Sequence, residues 1–332
     1  MNLSAYHVRR DRLANRWVAC APDRGERPKR TQITNPDAKP GRVAGCPFCT
    51  GNESMLPAIL DEIADDHGNW RVRAVPNKYP AFHTETVAAA ETNHVYEARA
   101  AHGHQEVIID TPHHHRSWAL LDAPQIARVL AMYQRRYAAV RTAHPEVYPV
   151  VFRNHGGRAG ASLEHPHSQL IAPPLPPTEM EAEEARCRAF FEEEGTPLMA
   201  TVRTRELDAE DRMVASNAHM VAFVPYAAPA PYSVWMVPRR NTPHFTDMTD
   251  AEREACAALA RTVTRRYATC ANDPDYNMTV HTALDPEADA PHLVWSLRFT
   301  PRVSVRAGFE LGTDMLINPS LPEVDAKVLR GA

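Results

Sequence analysis

Residues 160–170 read "GASLEHPHSQL", with two histidines flanking a proline and a serine and a glutamine behind them. Side chains two apart on a strand point to one face, so His165, His167 and Gln169 project together. Pro166 fixes φ and donates no hydrogen bond, which suits a strand end or an edge. A neutral imidazole held here, its other N–H pinned by a backbone carbonyl, is a nucleophile that needs no activating base. By spacing alone, a metal site or a chance pairing is the commoner meaning of two histidines on a strand. The neighbourhood adds a target: "NHGGRAGAS" (154–162) is a glycine-bearing loop running into the triplet. Such loops bring backbone N–H groups and small hydroxyls close to phosphate oxygens, although glycines also simply make turns. Gln169 can donate to a non-bridging phosphate oxygen without giving up a proton.

Working outward, short β-type runs surround the triplet ("HQEVIIDT", "YPVVFRN", "SQLIA"), and "APQIARVLAMYQRRYAAVRTA" has the three- and four-residue apolar steps of a helix. The Pro-rich stretch 172–195 reads as a joint. After it the same order returns: strands in "HMVAFVPY" and "YSVWMVPRR", a helix in "TDAEREACAALARTVTRRYATCA" capped by Thr249 or Asp250, then strands in "YNMTVHTA" and "LVWSLRFTP". The two helices share an ending, "QRRY" and "TRRY", and an offset of about 130 residues lays "HPHSQ" against "VWSLR". His165, His167 and Gln169 then face Val294, Ser296 and Arg298. The pattern predicts an internal duplication, with residues 1–176 as the chemical half and 196–332 as a copy that has lost its chemical residues.

"CPFC" supplies a thiolate pair at Cys46 and Cys49, and a four-coordinate structural zinc wants two more ligands, usually imidazole. His113, His114 and His115 in "TPHHHRSW" and His165 all qualify; a cysteine pair without metal is the plainer alternative, and a thioredoxin-like redox pair fits poorly because no helix follows. The other four cysteines are scattered, which is no disulfide framework and fits a reducing, cytoplasmic setting. The 332 residues, 44% hydrophobic and 23% charged, suffice for a compact enzyme. A formal charge of −4 with no basic stripe excludes nucleic acid as the expected partner. No stretch approaches the roughly 18 consecutive apolar residues of a membrane span.

In their order, "DRLANRWVACAPDRGERPKR", "CPFCTGNES", "NKYPAF", "HQEVIIDTPHHHRS", "NHGGRAGASLEHPHSQLIAPP" and "AGFELGTDMLINP" resemble the galactose-1-phosphate uridylyltransferase family of the histidine-triad (HIT) superfamily, including ADP-glucose phosphorylase-like proteins. The resemblance spans nearly the whole chain. It implies an α+β, duplicated HIT-like fold whose two halves each have an antiparallel sheet flanked by helices. It implies one structural zinc on Cys46, Cys49, His114 and His165, with His114 chosen by the family's "SPxHS" pattern. His167 takes the place of the nucleophile, Gln169 and Ser162 that of groups on the transferred phosphate, Arg24 and Arg27 that of arginines near the phosphates, and Asn77 and Asn154 that of nucleotide contacts. The implied reaction is ping-pong transfer of a nucleotidyl group from an NDP-sugar, through nucleotidyl-His167, to a hexose 1-phosphate or to phosphate, in a homodimer whose C-terminal halves supply dimer and sugar-phosphate contacts.

Departures from the family narrow this. Histidine-triad hydrolases carry a third histidine where Gln169 stands, so glutamine favours transfer over hydrolysis. Glu183 and His281 match two ligands of the family's second metal, but Val294 and Ser296 replace the others, so no second metal is expected. Gly308 and Thr313 stand near the places where the uridylyltransferases use a lysine and a tyrosine toward the hexose, so the resemblance leaves galactose specificity open. The eroded second half also motivates a different class, a catalytically idle nucleotide- or sugar-phosphate-binding protein.

Overall fold

The computed structural model describes residues 7–22, 41–85, 91–92, 94–285 and 289–331. A hairpin opens the chain, β1 (His7–Asp11) and β2 (Arg16–Cys20). Then come β3 (Asp61–Ala64), β4 (Trp70–Pro76), a two-strand ribbon of β5 (Glu91–Thr92) and β6 (Glu97–Ala98), β7 (His104–Ile109), helix α1 (Ala123–Ala143), β8 (Val150–His155) and β9 (His167–Ala172). Helices α2 (Thr178–Glu194) and α3 (Leu198–Ala209) lead to β10 (Met213–Ser216), β11 (Met220–Phe223) and β12 (Val234–Pro238). Helix α4 (Asp250–Cys270), β13 (Tyr276–His281), β14 (Ser296–Pro301), α5 (Gly308–Thr313), β15 (Leu316–Asn318) and α6 (Pro322–Arg330) complete it. β15 returns to lie parallel to β2.

Ten strands form one antiparallel sheet in the order β10-β11-β12-β14-β13-β8-β9-β7-β4-β3. From either edge inward the pattern is the same, the separate β5–β6 ribbon aside: three strands in chain order, a helix (α1 or α4), then two strands of which the later is slotted in first. The internal repeat is therefore architectural. β9 and β14 occupy equivalent places, and their first residues are His167 and Ser296. The two half-sheets are not separate, because β8 and β13 pair from Tyr276↔His155 to Thr279↔Phe152 and so make the sheet continuous.

Helix α1 follows the apolar periodicity of its sequence, burying Ile126, Val129, Leu130, Tyr133, Tyr137 and Val140. Asp122 caps it by accepting from the Gln125 N–H. At the start of α4 the cap is Thr249, in a capping box with Glu252. Both helices pack on one face of the sheet in a core shared with Trp118, Phe245 and Trp295. The opposite face differs between the halves. Over the second half, Cys187 of α2 and Leu198, Met199 and Ala200 of α3 cover Val221, Phe223, Trp235 and Val237. Over the first half, among the described residues, the loop bearing Cys46, Phe48 and Cys49 packs against Trp70, Val75, Val107 and Ile109. His167 and Gln169 lie on this less covered face.

The stretch 172–195, read from its prolines as a joint, is mostly the 17-residue helix α2, which begins one residue after Pro177 and ends at Gly195 in the left-handed region. Cys187 is its sole buried residue, so no apolar stripe announced it. No helix among the described residues is long and apolar enough to cross a membrane.

Candidate functional site

Cys46 and Cys49 sit in a loop whose turn is closed by the Cys49 N–H donating to the Cys46 carbonyl at 3.2 Å. Asn52, buried under the turn, donates to the carbonyls of Val43, Ala44 and Cys46 and holds it in shape. His114 comes from the loop after β7 and His165 from the approach to β9. The four side chains are all buried, and their ligand atoms lie within 4.8 Å of one another. The separations are 3.2 Å from Cys49 Sγ to His114 Nδ1 and 3.6 Å from His165 Nδ1 to each sulfur. Tetrahedral bonds of about 2.3 Å to sulfur and about 2.0 Å to nitrogen would set such atoms about 3.6 Å apart. His165 Nε2–H donates to the Thr111 carbonyl at 2.8 Å, which fixes its tautomer and turns the Nδ1 lone pair toward the sulfurs. Burial pushes the Cys46 thiol up and the His165 imidazole down to about 4. The donor set thus fits a four-coordinate metal ion, which such groups hold once the thiols are deprotonated.

His167 opens β9 with 6% of its surface exposed. Its Nδ1–H donates to the His165 carbonyl at 2.8 Å, which leaves Nε2 as the ring atom without a hydrogen-bond partner among the described residues. Burial, assisted by the Arg153 charge, pushes its pKa down and favours the neutral ring. Phe48, from the cysteine loop, stands with its ring centroid 5.5 Å from that of His167. The cysteine loop therefore forms one wall of the histidine's surroundings.

Behind the strand lies a buried polar network. Asp110, fully buried, accepts from Ser168 Oγ at 3.0 Å and Trp118 Nε1 at 3.0 Å, and pairs with the fully buried Arg153. The Tyr133 hydroxyl meets Ser168 Oγ at 2.5 Å. This network occupies the helix-covered side of β9, opposite His167.

In front, Gln169 Oε1 accepts from Gln105 Nε2 at 3.1 Å and from Asn77 Nδ2 at 3.4 Å. Asn154 lies one residue beyond the Arg153↔Ser168 pair, opposite His167, and its Oδ1 accepts from Asn277 Nδ2 at 2.8 Å. The glycine-bearing loop after Asn154 is held from the second half: the Arg158 N–H donates to Asp275 at 2.7 Å, and Asn277 Nδ2 donates to the Ala159 carbonyl at 2.8 Å. Ser162 stands exposed in this loop, and no hydrogen bond joins it to His167 or Gln169 among the described residues. Arg24 and Arg27 lie outside the described residues. Sequence reading missed Gln105, Asp275 and Asn277. Alternation along β7 puts Gln105 on the face of Ile109, whose ladder partner is His167; nothing comparable marked the two residues from β13 and its approach.

At the equivalent place in the second half, Arg298 stands where Gln169 does. It forms a bidentate pair with Glu183 of α2, one arm at 2.8 Å, while His281 Nδ1 lies 3.7 Å from Glu183. Burial and the Arg298 charge push His281 down to about 3.

Sequence comparison matches residues 1–177 to the N-terminal domain of galactose-1-phosphate uridyl transferase and residues 183–330 to its C-terminal domain. The chain belongs to the galactose-1-phosphate uridylyltransferase family. Within the family it is 31% identical over 330 residues to an ADP-glucose phosphorylase of Arabidopsis thaliana, covering 97% of this chain and 92% of that one. It is 26% identical over 317 residues to a galactose-1-phosphate uridylyltransferase of Haemophilus influenzae, covering 93% and 88%. Among solved structures, an Arabidopsis thaliana ADP-glucose phosphorylase with bound ADP-glucose superimposes with a TM-score of 0.84 at 28% identity, covering 98% of this chain and 99% of that one. This family membership makes the chain an enzyme of a nucleotidyltransferase family.

Proposed function

We propose that the chain transfers a nucleotidyl group from an NDP-sugar through a covalent nucleotidyl-histidine at His167. The observation that carries this reading is the placement of His167: Nδ1 is committed to the His165 carbonyl, and Nε2 has no hydrogen-bond partner among the described residues. Nε2 attacks the α-phosphorus in line; the N–P bond forms, the bond from phosphorus to the bridging oxygen breaks, and the sugar 1-phosphate leaves with that electron pair. A phosphate monoester, with a second pKa of roughly 6, departs without a proton, so Gln169 need only donate hydrogen bonds. Inorganic phosphate or a hexose 1-phosphate then attacks the nucleotidyl group and frees the ring.

Gln169 and Ser162 serve the transferred phosphate, Asn77 and Asn154 the nucleotide, and Arg24 and Arg27 the phosphates beside it. Zinc is the ion for Cys46, Cys49, His114 and His165, where it ties the cysteine loop and Phe48 to the strand that carries His167. Arg298 brings a fixed positive charge to Glu183, which argues against a second metal there. Residues 1–176 carry the chemistry, and 196–332 form the degenerate half with the dimer and sugar-phosphate contacts. The active form is a cytoplasmic homodimer.

ADP-glucose is the first donor to test, since two of the relatives above are named for it or hold it. The test is intact-protein mass after mixing with ADP-, UDP-, GDP- and dTDP-sugars, each without an acceptor. Gain of one nucleotidyl group, abolished by His167→Ala, is the expected result. No gain with any donor, in folded protein with its metal bound, would turn the reading toward a binding protein.

A further inference from the structure

The oxygen and nitrogen ends of a carboxamide are nearly the same shape, so its neighbours decide which end faces a ligand. Around His167 these neighbours form two relays, each anchored on a group that can only donate. In the first, the Ala81 backbone N–H donates to Gln105 Oε1 at 2.7 Å, so Gln105 turns Nε2 toward Gln169. The Tyr79 backbone N–H does the same to Asn77 Oδ1 at 2.9 Å, which turns Asn77 Nδ2 toward the same atom. Gln169 Oε1 is thereby committed to two donors, and Nε2 is the end left for a ligand. In the second relay the Arg302 guanidinium, which has no acceptor atom, donates to Asn277 Oδ1. Asn277 Nδ2 then donates to Asn154 Oδ1, so Asn154 Nδ2 is its remaining end.

We infer that Gln105 and Arg302, the latter through Asn277, are positioning residues that set Gln169 and Asn154 as hydrogen-bond donors on either side of His167, for the oxyanion of a phosphoryl group. This rests on the reading of His167 as a nucleophile toward phosphorus. Turning either amide over would present a carbonyl oxygen to a phosphate oxygen and replace attraction by repulsion. The second half of the chain, though it holds none of the chemistry, then governs one of the two donors.

Gln105→Glu tests this. The carboxylate still accepts from Ala81 but offers Gln169 an acceptor, so Gln169 should turn Nε2 to it and Oε1 to the cleft. Gln105→Leu removes one of the two donors to Gln169 Oε1 without supplying an acceptor, and leaves Asn77 in place. The rate of nucleotidyl-His167 formation from ADP-glucose should fall about a hundredfold in Gln105→Glu, the scale on which one oxyanion donor is lost, and less in Gln105→Leu, with melting temperatures close to that of the parent. The added charge is separated from the flip by repeating Gln105→Glu in a Gln169→Leu background. A loss that shrinks to a few-fold there means the effect passes through the amide. An equal loss in both backgrounds, a Leu variant at least as slow as the Glu variant, or no loss at all overturns the inference while leaving the nucleophile intact. Should the parent form no adduct, the reading of His167 fails instead. Inorganic pyrophosphate affinity, measured by calorimetry over the same cycle, then decides the donor polarity by the same pattern of weakening.

Discussion

At Asp110 a fully buried carboxylate answers Ser168, Trp118 and Arg153 at once, and its loss would leave the Arg153 guanidinium uncompensated in the core. Asp110→Ala should therefore cost about 3–5 kcal/mol, read as a lowered urea midpoint. The four residues that could hold a metal ion make a different demand, because the binding free energy of a structural metal is folding free energy. Cys46→Ala and His114→Ala should each lower bound zinc to near zero by elemental analysis and lower the melting temperature. His113→Ala, outside the Cys46, Cys49, His114 and His165 cluster, should change neither. At this scale the sequence was most readable where chemistry has a distinctive side chain. The alternation of His165, His167 and Gln169 and the cysteine pair were visible; the choice of His114 over its two neighbours came from family resemblance. Gln105 and Asn277 were not visible, because a carboxamide carries no signature until its partners are known.

Helix α4 starts at a capping box, and Arg240 adds hydrogen bonds to Glu252 at 2.8 and 2.9 Å. The hydrogen bond from Arg240 leads in holding the Glu252 carboxyl down at about 2, despite partial burial. A carboxyl whose folded pKa is depressed stabilises the fold above its ordinary range and loses that contribution as pH falls from about 4.5 toward 2. Glu252→Gln should thus lower stability at neutral pH and flatten its decline across that window, measured by urea titration at several pH values. Thr249→Ala should cost about 1 kcal/mol through the lost cap. Helix α1 was legible from its apolar steps, and α4 from its helical run behind a cap at Thr249 or Asp250. Helix α2 was not, since its single buried residue leaves no periodicity and the prolines before it read as a linker.

Across the whole molecule, the seam between β8 and β13 and the clamp on the glycine loop make the halves interdependent. Gly156 has φ +84°, and a β-carbon there would lie 2.0 Å from an Asp275 carboxylate oxygen that has no room to retreat without releasing Arg158. Gly156→Ala should therefore destabilise by about 1–3 kcal/mol and slow nucleotidyl transfer at least tenfold, the second effect surviving at temperatures where the variant is fully folded. The repeat itself was legible from two matching helix endings and the offset between them. Its closure into one sheet was not, because edge-to-edge pairing is settled by backbone hydrogen bonds that leave no residue pattern behind.

The repetition of the sheet also has a counting consequence. Ser296, at the place equivalent to His167, offers a hydroxyl and no imidazole, and Arg298 beside it is already bound to Glu183. A duplicated architecture thus carries the proposed nucleophile once. In rapid mixing, the amplitude of a pre-steady-state burst should titrate chains one for one, giving the active fraction of a preparation directly and never exceeding a single equivalent.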